Sequence, residues 1–478
     1  MQSDSRQLAR LGYPQELLRR LGGFSSFAIG FSVISVLTGV ISTFGDALAA
    51  GGPAGPGLGW PLVAGGTMLV ALAMAELSSA FPTAGALYHW ASLLGGPAWG
   101  WATAMLNLVG QVAIVAAIDL ACAQALAGLV LRPDAAYGFF AAVLSAHALL
   151  NVASVRLVAW LNDASATVHI LGVVLLSGAL FAVGCVHPLS YLARAGASPG
   201  SPSSHAAGFI RSLVLGVWTF TGFDAAAHVS EETHDPQRRA PAGIVSSVAV
   251  SAVAGFALVS ALTLSVRDLP STAGAPDAAW MVLAGALGGG VARSGMILVV
   301  MAMWFAGLAS LTSASRMLFA FARDRGLPLA YELRVVHRRT GTPVNATCAC
   351  AIAAAALVGT TAWIAASAFL AVAALATAAL YASYAVPIAL GAVARARGRW
   401  TKVGPWNLRR GGVALAWTAV AWTAFVELVC ALANREAMEI FAGMLAGLLL
   451  LWVGWVRGRF RGPAVTLAHF EREPDAAD

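Results

Sequence analysis

Twelve long apolar runs, separated by short polar or glycine-rich stretches, follow one another along almost the whole chain. Each approaches or exceeds the roughly 20 residues that an α-helix needs to cross the bilayer core. Charged residues make up only 11% of the chain, against about 25% in an average soluble domain. The sequence therefore predicts an all-α polytopic membrane protein, embedded in a lipid bilayer, with about twelve transmembrane helices. The runs cover residues 24–48, 60–80, 99–130, 136–154, 157–185, 209–231, 241–266, 295–323, 343–362, 366–391, 411–433 and 437–456.

The distribution of Lys and Arg predicts the orientation of these helices. With an even number of spans, most of the 29 basic residues fall at the chain termini and in alternate loops on the same side. Because cytoplasmic loops carry the excess of Lys and Arg, we expect both termini to be cytoplasmic and the protein to be a multi-pass protein of the cell membrane (inner or plasma membrane). The net charge of +7 reflects this asymmetry, and we expect no nucleic-acid partner.

The chain divides into four regions. They are a cytoplasmic N-terminal segment (1–22), a core (23–391), two additional transmembrane helices (411–456) and a cytoplasmic tail (457–478). Residues 51–59 and 198–208 are rich in Gly, Pro and Ser, which predicts coil on the outer side. The short polar tail after Arg461 is predicted to lack fixed structure.

Two apolar runs are interrupted half-way by small and polar residues. The sixth run carries Thr221 to Asp224, and the first carries Ser35 to Gly39. An unpaired carboxylate in hydrocarbon costs at least about 2.5 kcal/mol, so Asp224 must face protein or water. Either glycine alone is compatible with close helix packing. Paired breaks in corresponding positions of two halves instead indicate the binding site of a transporter.

Three sequence motifs resemble one known family. Residues 75–90, AELSSAFPTAGALYHW, resemble the signature between spans two and three of the amino acid–polyamine–organocation (APC) superfamily, with Ala86 at the usual second Gly. Thr312 to Arg316 and the following Phe319 to Pro328 resemble the end of its eighth span. Residues 220–233, FTGFDAAAHVSEET, look like the sixth span of its amino acid/choline transporter branch. The resemblance covers about residues 20–390.

The resemblance implies a fold and a function. The fold is a five-plus-five inverted-repeat (LeuT-like) core, with repeats at about 23–185 and 209–391 and with broken helices 1 and 6. The function is that of a secondary active transporter that imports an amino acid or related amine, by proton-coupled symport. An amino acid exchanger and a choline or polyamine carrier are the alternatives within the superfamily.

The resemblance and the physics of broken helices indicate the same substrate site. A helix that restarts after a break presents free N–H groups and a positive dipole end, which suit a carboxylate. We expect the substrate carboxylate at Thr38, Gly39 and Val40, with Ser35 lining the site. The ammonium end belongs to the sixth run, where the faces of Trp218 and Phe220 would also suit a quaternary ammonium group. The expected residues of that run are Trp218, Phe220, Thr221, Gly222, Phe223 and Asp224.

A histidine is the expected proton-coupling residue. The fifth run places Asn162, Ser165 and His169 on one helical face. In many APC transporters a Lys follows the matching Asn by seven residues and contacts the first span near its break, and His169 occupies that position. Imidazole gains and loses a proton near physiological pH. A neutral His169 that only hydrogen-bonds spans one and eight is the alternative.

Other polar residues within the runs have less specific roles. Gln111, Asp119 and Ser313, together with Asn162, are secondary candidates for the site. Asp119 either binds an amine or lies at an outer vestibule, and Asp224 either contacts cationic substrates or accepts hydrogen bonds from the unwound backbone. Near the end of the sixth run, Glu231 and Glu232 are predicted to face Arg238 and Arg239 as a gate or helix cap.

Two other classes of membrane protein are alternatives to a transporter. A membrane-embedded hydrolase needs a nucleophile with its base or a metal cluster, and the nine histidines show no H-E-x-x-H motif. A membrane sensor or channel is the third class, and a sensor is expected to carry a soluble signalling domain. The five cysteines show no C-x-x-C spacing. We expect no enzymatic activity, no metal and no cofactor.

Overall fold

The computed structural model describes residues 2–196 and 202–472, and its regular elements in these ranges are all helices. Eleven of the described helical segments are long and apolar enough to cross a membrane. The twelfth crossing, span 6, is divided into short helices. The prediction of about twelve spans is confirmed. The spans are numbered 1 (Gly23–Ile34 and Val36–Gly51), 2 (Ala54–Ala80), 3 (Pro97–Leu129), 4 (Ala136–Ala153), 5 (Val155–Ala179), 6 (Pro202–Ser212, Val214–Thr219 and Ala225–His228), 7 (Pro236–Leu264), 8 (Gly289–Arg323), 9 (Val344–Ile364), 10 (Ala368–Ala396), 11 (Gly412–Ala433) and 12 (Arg435–Leu451).

The packing of the spans follows an inverted repeat. Spans 3, 4, 8 and 9 pack against one another, and spans 1, 2, 6 and 7 form a second group. Span 3 packs on span 10 as span 8 packs on span 5, and span 1 packs on span 7 as span 6 packs on span 2. Changing each span number by five converts the pair of spans 3 and 10 into the pair 8 and 5. The same change converts the pair of spans 1 and 7 into the pair 6 and 2. Two halves with equivalent structures are expected to show this correspondence between their helix contacts.

Both predicted helix breaks occur, but they differ in extent. In span 1 the break is the single residue Ser35, which has left-handed backbone angles (φ 38°, ψ 76°), so the predicted break over 35–39 is too long. The Ser35 hydroxyl accepts from the Thr38 amide and thereby caps the second half of the span. In span 6 the first half ends at Thr219, and helix resumes only at Ala225.

Two glycines at these breaks are required by the geometry. Gly222 has φ +82°, a conformation that L-residues with a side chain rarely adopt. Gly39 faces Thr219 so closely that an added Cβ would overlap the threonine side chain. The two broken spans therefore touch each other directly beside their breaks.

The outer loops are shorter than predicted. Span 2 begins at Ala54, so most of the Gly-rich stretch 51–59 is helical rather than coil. A Cβ added at Gly57 would come within 2.8 Å of the Leu192 side chain. The glycine therefore allows the segment around Leu192, which follows span 5, to approach span 2 closely. The helix Pro202–Ser212 likewise replaces coil over the second part of 198–208, and the start of that stretch lies outside the described residues.

The N-terminal segment and the described part of the tail pack on one face of the bundle, hereafter the terminal face. The N-terminal segment begins with the helix Gln2–Arg10. The segment buries five apolar side chains: Leu8, Leu11, Tyr13, Leu17 and Leu21. At its end, the backbone amides of Arg20 and Leu21 both donate to the Glu232 carbonyl at 2.8 Å. The segment is thus part of the packed structure and covers the end of span 6.

The tail also packs on this face over its described part. Residues Leu467–Arg472 form a helix, and the Phe470 ring lies 5.1 Å from that of Phe81. The Glu471 carboxylate accepts from the backbone amides of Thr401 and Lys402 at 3.0 and 3.1 Å. The prediction that the tail lacks fixed structure is wrong for this helix, because apolar packing and amide contacts hold it in place.

Candidate functional site

A small cavity lies where the two broken spans meet span 3. Four of the predicted site residues line it: Thr38, Gly39, Trp218 and Thr221. Four apolar residues that were not predicted complete the lining: Val33, Ile34, Ile114 and Ile118. None of these eight side chains carries a charge. Ile114 and Ile118 follow Gln111 at helical spacing, and this periodicity could have indicated the lining face of span 3.

The hydroxyl of Ser35 connects the break in span 1 to His169. Ser35 Oγ lies 2.8 Å from His169 Nε2 and 2.5 Å from Thr38 Oγ1. His169 Nδ1 lies 2.9 Å from the Ser165 carbonyl, which can only accept, so Nδ1 carries a hydrogen. The fully buried imidazole therefore uses Nε2 to contact the break, at the position that the sequence analysis predicts.

The amides predicted to bind a carboxylate are already engaged in this arrangement. The Thr38 amide donates to Ser35 Oγ at 3.3 Å, and the Gly39 amide donates to the Ser35 carbonyl at 3.0 Å. The longer of these two hydrogen bonds is the weaker one. Val40 is buried and lies outside the cavity lining.

Asp224 is turned away from the cavity into a buried polar network. Its carboxylate accepts from Tyr384 Oη at 2.8 Å, from Asn107 Nδ2 at 3.0 Å and from Gln111 Nε2 at 3.1 Å. His228 Nε2 lies 3.2 Å from the same carboxylate. These partners come from spans 3, 6 and 10. They support the role of a hydrogen-bond acceptor at the break, with side chains rather than the unwound backbone as its donors.

The aromatic residues of the break pack against other rings. The Phe220 ring lies 4.9 Å from Trp60, and the Phe223 ring lies 5.1 Å from Tyr384. Neither phenylalanine lines the cavity. Trp218 alone of the predicted aromatic residues does so. The Gly222 amide donates to Tyr384 Oη at 3.2 Å, so span 10 satisfies part of the unwound backbone.

The secondary candidates lie at separate places. Asp119 contacts His147 of span 4, with His147 Nδ1 at 3.1 Å from the carboxylate, and both side chains are fully buried. This contact places the Asp119 side chain in the interior between spans 3 and 4. Asn162 and Ser313 are also fully buried, and within the described residues their side-chain polar atoms have no hydrogen-bond partner.

Two buried ion pairs close the terminal face below the site. Glu231 binds Arg323 through two hydrogen bonds of 2.8 and 3.0 Å, and Glu232 accepts from Arg316 Nε at 2.8 Å. Both arginines belong to span 8, so the predicted pairing with Arg238 and Arg239 is wrong. The nearer arginines in sequence lie in the first turn of span 7. The bonding partners come from the end of span 8, about 90 residues away.

The motif at 75–90 forms part of the same closure. The Ala84 amide donates to Glu231 Oε1 at 3.0 Å. At the start of the motif, Glu76 pairs with Arg395 and accepts from the Leu408 amide at 2.8 Å. Ala86 has φ 39° and ψ −116°, an unfavourable conformation for a residue with a Cβ. The glycine usual at this position in the superfamily would relieve that strain.

Comparisons with known proteins agree with this architecture. The profile of the amino acid permease family matches residues 21–451, which is most of the chain. The chain is a member of the amino acid permease family. It is 33% identical to amino-acid permease BAT1 of Arabidopsis thaliana, over 97% of this chain and 96% of that protein. A BAT1 homolog of Oryza sativa is 32% identical over 96% of this chain and 95% of its own length.

A third relative covers a smaller part of the permease. The GABA-specific permease of Saccharomyces cerevisiae is 29% identical over 71% of this chain and 63% of its own length. Family membership confirms the resemblance to the APC superfamily and identifies the protein as an amino-acid transporter with many membrane-spanning helices. The described residues contain no group of three or more His, Cys, Asp or Glu that could hold a metal ion.

Proposed function

We propose that this permease imports a zwitterionic amino acid with a small, uncharged side chain across the cell membrane. The observation that supports this proposal is the cavity at the two helix breaks, whose eight lining residues include no charged side chain. Asp224, the carboxylate at the break of span 6, has several hydrogen-bond donors around it and lies outside the lining. A cationic amino acid or a polyamine would enter such a site without a counter-ion.

The substrate carboxylate is proposed to take the place of Ser35 as the acceptor for Thr38. The Thr38 amide and hydroxyl both lie beside Ser35 Oγ. Amides at the start of a helix favour an anion, because of the helix dipole. The carbonyls that end the first half of span 6, next to Thr221, would accept from the ammonium group.

This exchange provides a route for coupling to protons. A neutral His169 accepts from the Ser35 hydroxyl, whereas a protonated His169 donates to it. When the substrate carboxylate accepts the hydrogen bonds of Thr38 in place of Ser35, the serine oxygen becomes free to accept a hydrogen bond from a protonated imidazole. Substrate and proton therefore stabilise each other, and this linkage is what symport requires.

The orientation follows from the basic residues. We assign the terminal face to the cytoplasm, because cytoplasmic loops carry the excess of Lys and Arg. The closed ion pairs of Glu231 and Glu232 then lie between the site and the cytoplasm. Import would require these pairs to separate.

Exchange without a proton and transport of choline or a polyamine are the competing functions. Trp218 in the cavity lining would favour a quaternary ammonium substrate through its ring face. A channel or sensor would not concentrate its ligand, and an enzyme would change it chemically. Accumulation of unmodified amino acid in proteoliposomes separates the proposed function from all of these.

The substitution His169→Gln tests the coupling mechanism in proteoliposomes that contain purified permease. We expect the variant to exchange labelled amino acid but to lose accumulation driven by a pH gradient. One pH unit supports about a tenfold concentration ratio for one coupled proton, and this ratio should fall to about one. His187→Gln is the matched control, because His187 packs on Tyr191 in a loop away from the site. Accumulation by His169→Gln at the wild-type level would refute the role of His169.

A further inference from the structure

His228, in the short helix after the break of span 6, has an acceptor atom at each of its two ring nitrogens. Nδ1 lies 2.9 Å from the carbonyl oxygen of Ala84, in the turn before the helix Leu87–Gly95. Nε2 lies 3.2 Å from Oδ2 of Asp224, one helical turn earlier. Both side chains are completely buried.

A neutral histidine beside an ionised Asp224 cannot satisfy these two contacts. Neutral imidazole has one N–H donor and one lone-pair acceptor. The Ala84 carbonyl only accepts, so Nδ1 must carry a hydrogen. Nε2 would then direct a lone pair at a carboxylate oxygen, and such a contact between two acceptors is unfavourable in a buried site. One additional proton between Nε2 and Oδ2 removes the conflict.

The other neighbours of Asp224 direct hydrogen-bond donors at its carboxylate. Asn107 and Gln111 use their amide nitrogens to donate to Oδ2. Tyr384 donates to Oδ1 and is itself the acceptor for the Gly222 amide. With these groups acting as donors, His228 Nε2 is the ring nitrogen that can accept from a protonated Asp224. We propose that Asp224 and His228 form a proton-binding site that holds one shared proton in this closed arrangement.

The surrounding helices carry few charged groups, and those near the end of span 8 are paired with glutamates. The first half of span 1, Gly23–Ile34, contains no titratable residue. Span 7 contributes Arg238 and Arg239 in its first turn only. In span 8, Arg316 and Arg323 are paired with Glu232 and Glu231. Tyr384 is the titratable group that span 10 directs at Asp224.

The shared proton links the substrate site to the closure of the terminal face. Ala84 receives His228 at its carbonyl and donates its amide to Glu231, which holds Arg323. When the face opens and His228 leaves Ala84, neutral imidazole can point its remaining N–H at Asp224 and release the proton. This inference deepens the proposed proton coupling, on which it rests for the direction of proton movement, and it adds a site separate from His169.

Nitrogen NMR of the full-length permease in liposomes tests this site without any transport. The protein is labelled with ¹⁵N-histidine and measured at about pH 8, where a histidine with an ordinary pKa of about 6.5 is almost entirely neutral. We expect one imidazolium signal that persists at this pH. It should disappear in His228→Gln and remain in both His147→Gln and His169→Gln. If the proton resides on Asp224 instead, infrared spectroscopy should show a protonated-carboxyl band that is lost in Asp224→Asn.

The outcomes separate this inference from the proposed function. Absence of both the imidazolium and the carboxyl band in the wild-type protein overturns the inference, even if the variants do not fold. A persistent signal that is lost in His147→Gln or in His169→Gln also overturns it, because the proton then belongs to another histidine. Neither measurement needs an amino acid or a gradient, so failure of amino-acid uptake would refute the proposed function alone.

Discussion

Replacing Gly222 with Ala tests whether the break in span 6 has the geometry described. Gly222 has φ +82°, and a Cβ at this position would overlap Val33 Cγ1 and lie 3.0 Å from Ile114 Cδ1. The first term is backbone strain of about 1–2 kcal/mol for a side chain at positive φ. The second is overpacking, which costs about 1–3 kcal/mol. We therefore expect Gly222→Ala to lower the free energy of unfolding by about 2–5 kcal/mol.

A second substitution separates the two terms. Val33→Ala removes the methyl group that the new Cβ overlaps, whereas the Val33 Cβ lies 3.5 Å from it, an ordinary contact distance. The double variant should recover the overpacking term and retain the backbone strain. The expected coupling energy between the two sites is therefore about 1–3 kcal/mol.

Denaturant titration of the four proteins in micelles measures this cycle. Gly65→Ala is the matched control, because Gly65 is a glycine of span 2 with no heavy atom within 4 Å of an added Cβ. A loss of stability for Gly222→Ala no greater than that of the control would refute the described break. Additivity of the two substitutions within about 0.5 kcal/mol would refute the contact between Gly222 and Val33.

Three further predictions concern the turn at Ala86, the terminal face and the orientation. Ala86→Gly should raise the free energy of unfolding by roughly 1 kcal/mol because it relieves strain at positive φ, and a lower unfolding midpoint would contradict this. Burial raises the pKa of the Asp324 carboxyl, which accepts from Tyr13 Oη at 2.6 Å. The protonated Asp324 carboxyl therefore stabilises the closed terminal face below its ordinary pKa of about 3.8. This stabilisation is lost as the pH rises through the raised pKa. Protection of residues 4–21 from hydrogen exchange, corrected for the intrinsic pH dependence of exchange, should fall over this pH range in the wild type. It should not fall in Asp324→Asn, and an equal dependence of protection on pH in the two proteins would contradict this prediction. A reporter after Arg397 should be cytoplasmic and one inserted near residue 202 external, and the reverse result would overturn the orientation.

The positions of the breaks were predictable from the sequence, whereas their bonding partners were not. Gly222 and Asp224 differ from the apolar residues around them, so local composition is sufficient to locate that break. Three of the partners of Asp224 come from spans 3 and 10, more than 100 residues away in either direction. Glu231 shows the same limit, because Arg238 is close in sequence but Arg323 is close in space.

Two other features show where local rules fail in a membrane protein. The Gly-rich start of span 2 has the composition of a loop, yet it is helical, because small residues allow neighbouring backbones to approach. Ile114 and Ile118 line the cavity, and their one local sign is the helical spacing from Gln111. This spacing marks one face of span 3 but does not show whether that face meets lipid, another helix or a substrate. Which of these surroundings Ile114 and Ile118 meet depends on how span 3 packs against the other spans.

The N-terminal segment has a consequence for how this protein is made. Tyr13 bonds to Asp324, which is 311 positions later in the chain. At about 5–20 residues per second, the ribosome needs roughly 15–60 s to synthesise that interval. During this time Tyr13 lacks the partner that it binds in the finished protein. The N-terminal segment therefore reaches its final packing only after the end of span 8 has been synthesised.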